Sequence, residues 1–379
     1  MIVSPANKIG SIRPSTEEAR KILEKQKKIA AKSSSQAPSQ LKQNFMDWCN
    51  RVLYSHPNRH VVIDFDRVHE IANSLKPQDP SNAFDFAPDM TPEAADRSKP
   101  INPELVFFAL ALNTANQGGY IYEGPDGKAV IWQKDGIDVK AFNDLFCELS
   151  EKNLLPGLPK SRIKKPSHVE KLMKPELVQE NGDPVPFLQD RLQVFKEFAA
   201  PGAWEKLATI LNSARQQDGS YHFDFKSIYD IAKAFPISFG RDAFLKKPAL
   251  LPMLFASNAN TRGEKVSVDG IVAADFWLPW TDHNTGMARF SDGLVESLEN
   301  KEIMHPDDLR VLQMRAATVV ISDLTAQLSG KPINEIDALK WLEKISRSLQ
   351  KFQDETKVIA KTCGKKITQN HMLVPTFNF

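Results

Sequence analysis

Two carboxylates in this chain sit where their chemistry is costly or useful. Asp275 lies in "DGIVAADFWLPW", residues 269–280, among Ile, Val, Ala, Phe, Trp and Leu, with Pro279 near the end of the run. A buried carboxylate costs several kcal/mol unless it is paired or hydrogen-bonded. Asp337 lies in "NEIDALKWLEKI", with Trp341 one helical turn later and therefore on the same face. An acid beside a large aromatic ring suits a flat heteroaromatic ligand, by stacking on the indole and by hydrogen bonding to the carboxylate. Plain structural readings stand beside these. Asp275 reads equally as a helix or turn cap, and the other pair as a core tryptophan next to a surface aspartate.

Other reactive residue types form no familiar constellation. "HPNRH" puts His56 and His60 four apart, a zinc spacing on a helix, but Pro57 lies between them and points to loop histidines. His371, eight residues after Cys363, is isolated, so no metal and no organic cofactor is expected. There is no Ser-His-Asp signature and no nucleophile elbow. "LSGKPIN" carries Gly-Lys without the upstream glycine of a phosphate loop.

The elements that must position these residues read as mostly α. Helical periodicity marks segments at about 39–54, 66–75, 102–116, 137–152, 167–178, 186–199, 202–215, 224–235, 288–298, 306–328 and 333–353. "YIYEGPDGKAVIWQ" at 120–133 predicts a β-hairpin around Gly-Pro-Asp-Gly, and "HVVIDF" at 60–65 a short strand. Residues 15–32 predict a polar helix opened by the capping-box pair Ser15 and Glu18, with only Ile22, Leu23 and Ile29 as an apolar face. "SSSQAPSQ" at 33–40 follows as a linker. The expected organisation is therefore a flexible arm over 1–38, with six basic residues for a protein partner or for solvent, and one helical domain over 39–379.

Composition bounds the function. With 49 Lys and Arg against 47 Asp and Glu, the net charge of +2 argues against direct nucleic-acid binding. The 41% hydrophobic and 25% charged residues fit a globular chain. Cys49, Cys147 and Cys363 are scattered and odd in number, which suggests a reducing compartment. No signal-peptide core and no membrane-length apolar run is present, so a cytoplasmic location without membrane association is the expectation.

From about residue 45 onward, a series of short matches resembles the queuosine-salvage glycosylase family. "AADFWLPW" is similar to its Asp-Tyr-Arg-Leu/Val-Pro-Gln segment through Asp275, Leu278 and Pro279. Phe290-Ser291 and Arg315 to Val319 match the helices that follow, and "INEIDALKW" resembles its Asp-x-x-Leu-Trp helix through Asp337 and Trp341. "KPINPELVFFALALNTANQ", "PVPFLQDRLQVFKEFA" and "IAKAFPISFGRDAFLKK" match in order. The chain departs from the pattern at Ala273, at Thr114 to Gln117, which replace aromatics, at Lys99, which replaces a histidine, and at Leu342, followed by Glu343.

The resemblance implies a helical fold like that of DNA glycosylases. It implies hydrolysis of the N-glycosidic bond of queuosine 5′-monophosphate to release queuine for tRNA-modification salvage, with water as the only co-substrate. Asp275 and Asp337 would then serve recognition and catalysis, Trp341 would stack on the base, and Glu343 would be a further catalytic candidate. Lys99, Arg241, Lys246 and Lys247 would be substrate-binding, the last three toward the 5′-phosphate. The other reading is a catalytically inactive helical adaptor or base-binding protein on the same fold, favoured by the lost aromatics and the polar arm.

Overall fold

The computed structural model describes residues 17–31, 35–75, 102–124, 126, 128–132, 138–179, 182–341, 372–374 and 376. The fold is mostly α, as the periodicity predicts, and the sheets among the described residues are all two-stranded. Where one domain over 39–379 was expected, the chain divides into two interleaved compact units. The first takes Met1–Ala83, Ile121–Val130 and Ile271–Pro375, and the second takes Phe84–Tyr120, Ile131–Gly270 and Thr376–Phe379.

In the first unit the chain forms α1 (Glu17–Ala31), α2 (Pro38–Tyr54), β1 (Val61–Ile63) and α3 (Phe65–Ser74). After Ile271 it adds α11 (Trp277–Asn284), β6 (Ala288–Phe290), α12 (Asp292–Glu299), α13 (Leu309–Ser329) and α14 (Ile333–Trp341). Leu41, Phe45, Trp48, Cys49 and Val52 recur at helical spacing on α2, and this buried face packs on α13. Asp308 opens α13 by accepting the N–H of Arg310 at 2.8 Å. Gly330, at φ 68°, closes the helix in the left-handed conformation that glycine adopts without penalty.

Two expectations in this unit are corrected. The helix predicted over 288–298 begins instead as a strand. β6 pairs antiparallel with β1, Val61 opposite Phe290, and the helix starts only where Ser291 accepts the N–H of Leu294. The demand of β1 for a partner overrides local helical spacing. The arm helix, expected to stand free because its apolar face is thin, is packed on α2. The indole N–H of Trp48 donates to the carbonyl of Ile22 at 2.9 Å, and Gln26 is buried. This polar contact adds to the half-buried Ile22, Leu23 and Ile29.

The second unit contains α4 (Pro103–Asn116), α5 (Asp138–Glu151), α6 (Ser167–Met173), α7 (Leu188–Phe198), α8 (Ala203–Ala214), α9 (Phe225–Ala234) and α10 (Lys246–Asn260). The helix predicted over 167–178 ends at Met173 and continues as one 3-10 turn over Lys174–Glu176, because Pro175 has no N–H to extend the α ladder. β4 (Tyr221–Phe223) and β5 (Val266–Val268) form a parallel pair that the sequence reading did not anticipate. Phe107 on α4 packs edge-on against Phe255 of α10 at 5.3 Å and stacks with Phe223 of β4 at 5.6 Å. Gly157, at φ 79°, sits so close to the Phe108 ring that a Cβ would lie 2.2 Å from it. The predicted hairpin at 120–133 is present as β2 (Ile121–Glu123) and β3 (Ala129–Ile131), with Ile121–Val130 belonging to the first unit.

Candidate functional site

α11 begins with three residues whose backbone needs decide its start. The N–H groups of the first turn have no intrahelical acceptor. Asp275 Oδ1 accepts from Trp277 at 2.8 Å and from Leu278 at 3.3 Å, and Pro279 has no N–H to satisfy. Asp275 therefore caps α11, and this is how a carboxylate only 2% exposed is accommodated among apolar neighbours. The cap reading of Asp275 is thus a structural fact, whatever else the residue does.

Asp337, on α14, is 0% exposed. Its Oδ2 accepts the backbone N–H of Ala273 at 2.6 Å. From α13, the buried Arg315 donates Nε–H to the carbonyl of Ala274 at 2.9 Å. Residues 273–275 belong to neither helix nor strand, so two helices hold their backbone through side chains. The surface aspartate of the plain reading is excluded. Asp275 and Asp337 instead address one short stretch, 273–278, from its own chain and from α14.

A buried polar network that sequence reasoning missed lies behind them. Lys340 Nζ donates to Asp282 Oδ1 and to Ser322 Oγ, each at 2.6 Å, and Thr318 Oγ1 donates to Asp282 Oδ2 at 2.6 Å. The group joins α11, α13 and α14. Burial pushes the Asp282 carboxyl up, and the adjacent Lys340 ammonium and the two hydrogen bonds oppose that shift. α14 ends at Trp341, one turn beyond Asp337. The Trp341 side chain lies outside the described residues, as do Glu343 and Lys99.

The basic candidates belong to the second unit. Arg241 is a surface residue paired with Asp190 at 2.9 Å, both side chains more than a third exposed, a geometry that contributes little to stability. Lys246 and Lys247 are not a solvated surface, being 6% and 2% exposed. Lys247 Nζ donates to the carbonyl of Ala115 at 2.8 Å. Arg191, which no spacing flagged, is 1% exposed and donates to the carbonyls of Pro186 (2.9 Å), Asn116 (2.5 Å) and Gly118 (3.0 Å). Its guanidinium lies over the rings of Trp132 and Phe142 at 5.4 and 5.5 Å. Two buried basic side chains thus meet carbonyls at and just beyond the C-terminal end of α4, where the helix dipole is negative. Burial first, then the neighbouring charges of Lys246 and Arg191, pulls the Lys247 ammonium well below the ordinary lysine value.

The histidine pair stays in its loop. His56 Nδ1 accepts the N–H of Asn58 at 2.9 Å, and the backbone N–H of His60 donates to Gln313 Oε1 at 2.8 Å. Among the described residues no group of three or more His, Cys, Asp or Glu could hold a metal ion, and no helix is long and apolar enough to cross a membrane.

The fold and these contacts define a mostly α protein with two buried carboxylates gathered on one backbone stretch. No family model matches this chain, and no curated protein matches it.

Proposed function

We propose that this chain is an N-glycosyl hydrolase whose substrate is queuosine 5′-monophosphate and whose product is free queuine. The support is the series of sequence matches that includes Asp275, Asp337 and Trp341. The single observation that carries the reading furthest is the convergence of Asp275 and Asp337 on residues 273–278. Cleavage of an N-glycosidic bond develops positive charge on the ribosyl carbon, and a carboxylate held by fixed backbone donors stabilises that charge without reorganising. Water adds its oxygen to the anomeric carbon, and the departing base takes up a proton. An acid also accepts hydrogen bonds from the N–H donors of a guanine-like edge.

A second reading, a base-binding adaptor without turnover, is favoured by one observation. Asp275 Oδ1 already serves two backbone N–H groups and Asp337 Oδ2 serves a third, so both acids have structural work. Incubation with queuosine 5′-monophosphate followed by chromatography for released base separates the readings. Release of queuine supports the hydrolase. Intact nucleotide together with calorimetric binding of queuine supports the adaptor. No release and no binding at millimolar concentration overturns both.

A further inference from the structure

Asp337 and Lys340 share α14, and Lys340 is anchored on two helices packed against α14, namely α11 and α13. Its ammonium meets Asp282 on α11 and Ser322 on α13, while Thr318 on α13 holds the other oxygen of Asp282. The side chains of the pair are 4% and 1% exposed. Such a pair is a poor way to gain stability, because desolvation consumes most of the attraction and an apolar pair of similar volume is often as good. It is a good way to fix a register. Each residue step along an α-helix turns the side chain by about 100°. A slip of α14 by one position would part the two charges in the interior and leave Asp282 only its bond from Thr318, and an apolar contact imposes no such demand.

We propose that Asp282 and Lys340 are positioning residues: their pair sets the rotation and height of α14 so that the Asp337 carboxylate meets the N–H of Ala273. The pair thereby holds the stretch that carries Asp275 against α14. Its consequence for turnover rests on the hydrolase reading above, whereas its consequence for the Asp337–Ala273 hydrogen bond does not.

The test is amide hydrogen exchange, read by mass spectrometry on peptides covering 271–278, in the double variant D282L/K340M. Leu and Met keep the volume and remove both charges, and the freed hydroxyls of Thr318 and Ser322 can bond to carbonyls of their own helix. The expected result is exchange at 271–278 faster by about tenfold or more, with protection in α2 and α13 retained. Exchange at the wild-type rate in a folded double variant overturns the proposal. Should the double variant fail to fold, D282N decides the point, since it removes the charge of the pair while keeping the side chain's volume and one oxygen. Faster exchange at 271–278 in D282N supports positioning, and unchanged exchange overturns it. Where the wild type releases queuine, kcat of D282L/K340M should fall by about tenfold with KM little changed. An unchanged kcat alongside faster exchange overturns the catalytic consequence. A wild type that releases no base defeats the hydrolase reading and leaves the exchange result to judge positioning alone.

Discussion

The carboxylate of Asp337 accepts the backbone N–H of Ala273 at 2.6 Å across 64 positions of sequence. Ala273 is buried, so this N–H has no recourse to water. Removing the acceptor in Asp337→Ala should cost about 1–3 kcal/mol, the price of an unsatisfied buried donor. Asp337→Asn keeps an oxygen for the bond and should cost clearly less. Urea unfolding of the two variants checks the order, and equal losses would show that charge rather than the hydrogen bond matters there.

Asp275 offers a similar separation of roles. Asn caps a helix about as well as Asp, whereas Ala loses about 0.5–2 kcal/mol. Asp275→Asn should therefore unfold at nearly the wild-type urea concentration while losing hydrolysis, because the shape remains and the negative charge does not. Asp275→Ala should lose both. Full turnover by the Asn variant would confine Asp275 to its cap.

Deletion of residues 1–37 reverses what the sequence leads one to expect. An arm with little apolar face would be dispensable, but Trp48 is fully buried and its indole N–H is held by Ile22. Truncation uncovers that ring and removes its acceptor, which should cost about 2 kcal/mol or more. Differential scanning calorimetry should show a lower Tm. An unchanged Tm would mean that α1 adds nothing to the unit.

The depressed Lys247 ammonium gives stability a pH dependence of definite sign. Its folded-state pKa lies below the ordinary lysine value of 10.5, so between the two the unfolded chain binds a proton that the folded chain does not. Stability from this group is therefore lowest on the acid side of that window and rises as pH climbs through it toward 10.5. Lys247→Met should show a smaller gain between pH 7 and about 10 than the wild type, read from urea midpoints at each pH. Parallel profiles would place the titration of Lys247 close to its ordinary value.

Much of the helical scaffold was legible because amphipathic faces repeat, as in α2 and α7. α10 was not, since "KKPALLPMLFASNAN" is buried on all sides, shows no polar face and contains Pro252. α11, with eight residues and Pro279 in its first turn, is too short to show a period. β4 and β5 do alternate, with buried, exposed and buried side chains in turn, but over three residues each, a run too short to stand out in the sequence. At the site, an acid within an apolar run pointed to Asp275, and helical spacing drew attention to Asp337. Arg191, Asp282 and Lys340 left no such trace. Arg191 and Lys340 read as ordinary charges on amphipathic segments and Asp282 as a charge in a stretch without a period, and only the tertiary partners brought to them reveal that they are buried.

The interleaving of the two units has a consequence during synthesis. Val52 on α2 receives the side-chain amide of Gln313, 261 positions later. At roughly 5–20 residues per second, translation needs about 13–50 s to deliver that partner. Throughout that interval Leu41, Phe45, Trp48 and Val52 form an apolar stripe on a nascent helix with no α13 to cover it. The first unit is therefore a late-completing one, since the apolar face of α2 has no α13 to pack on until the chain has been made as far as Ser329.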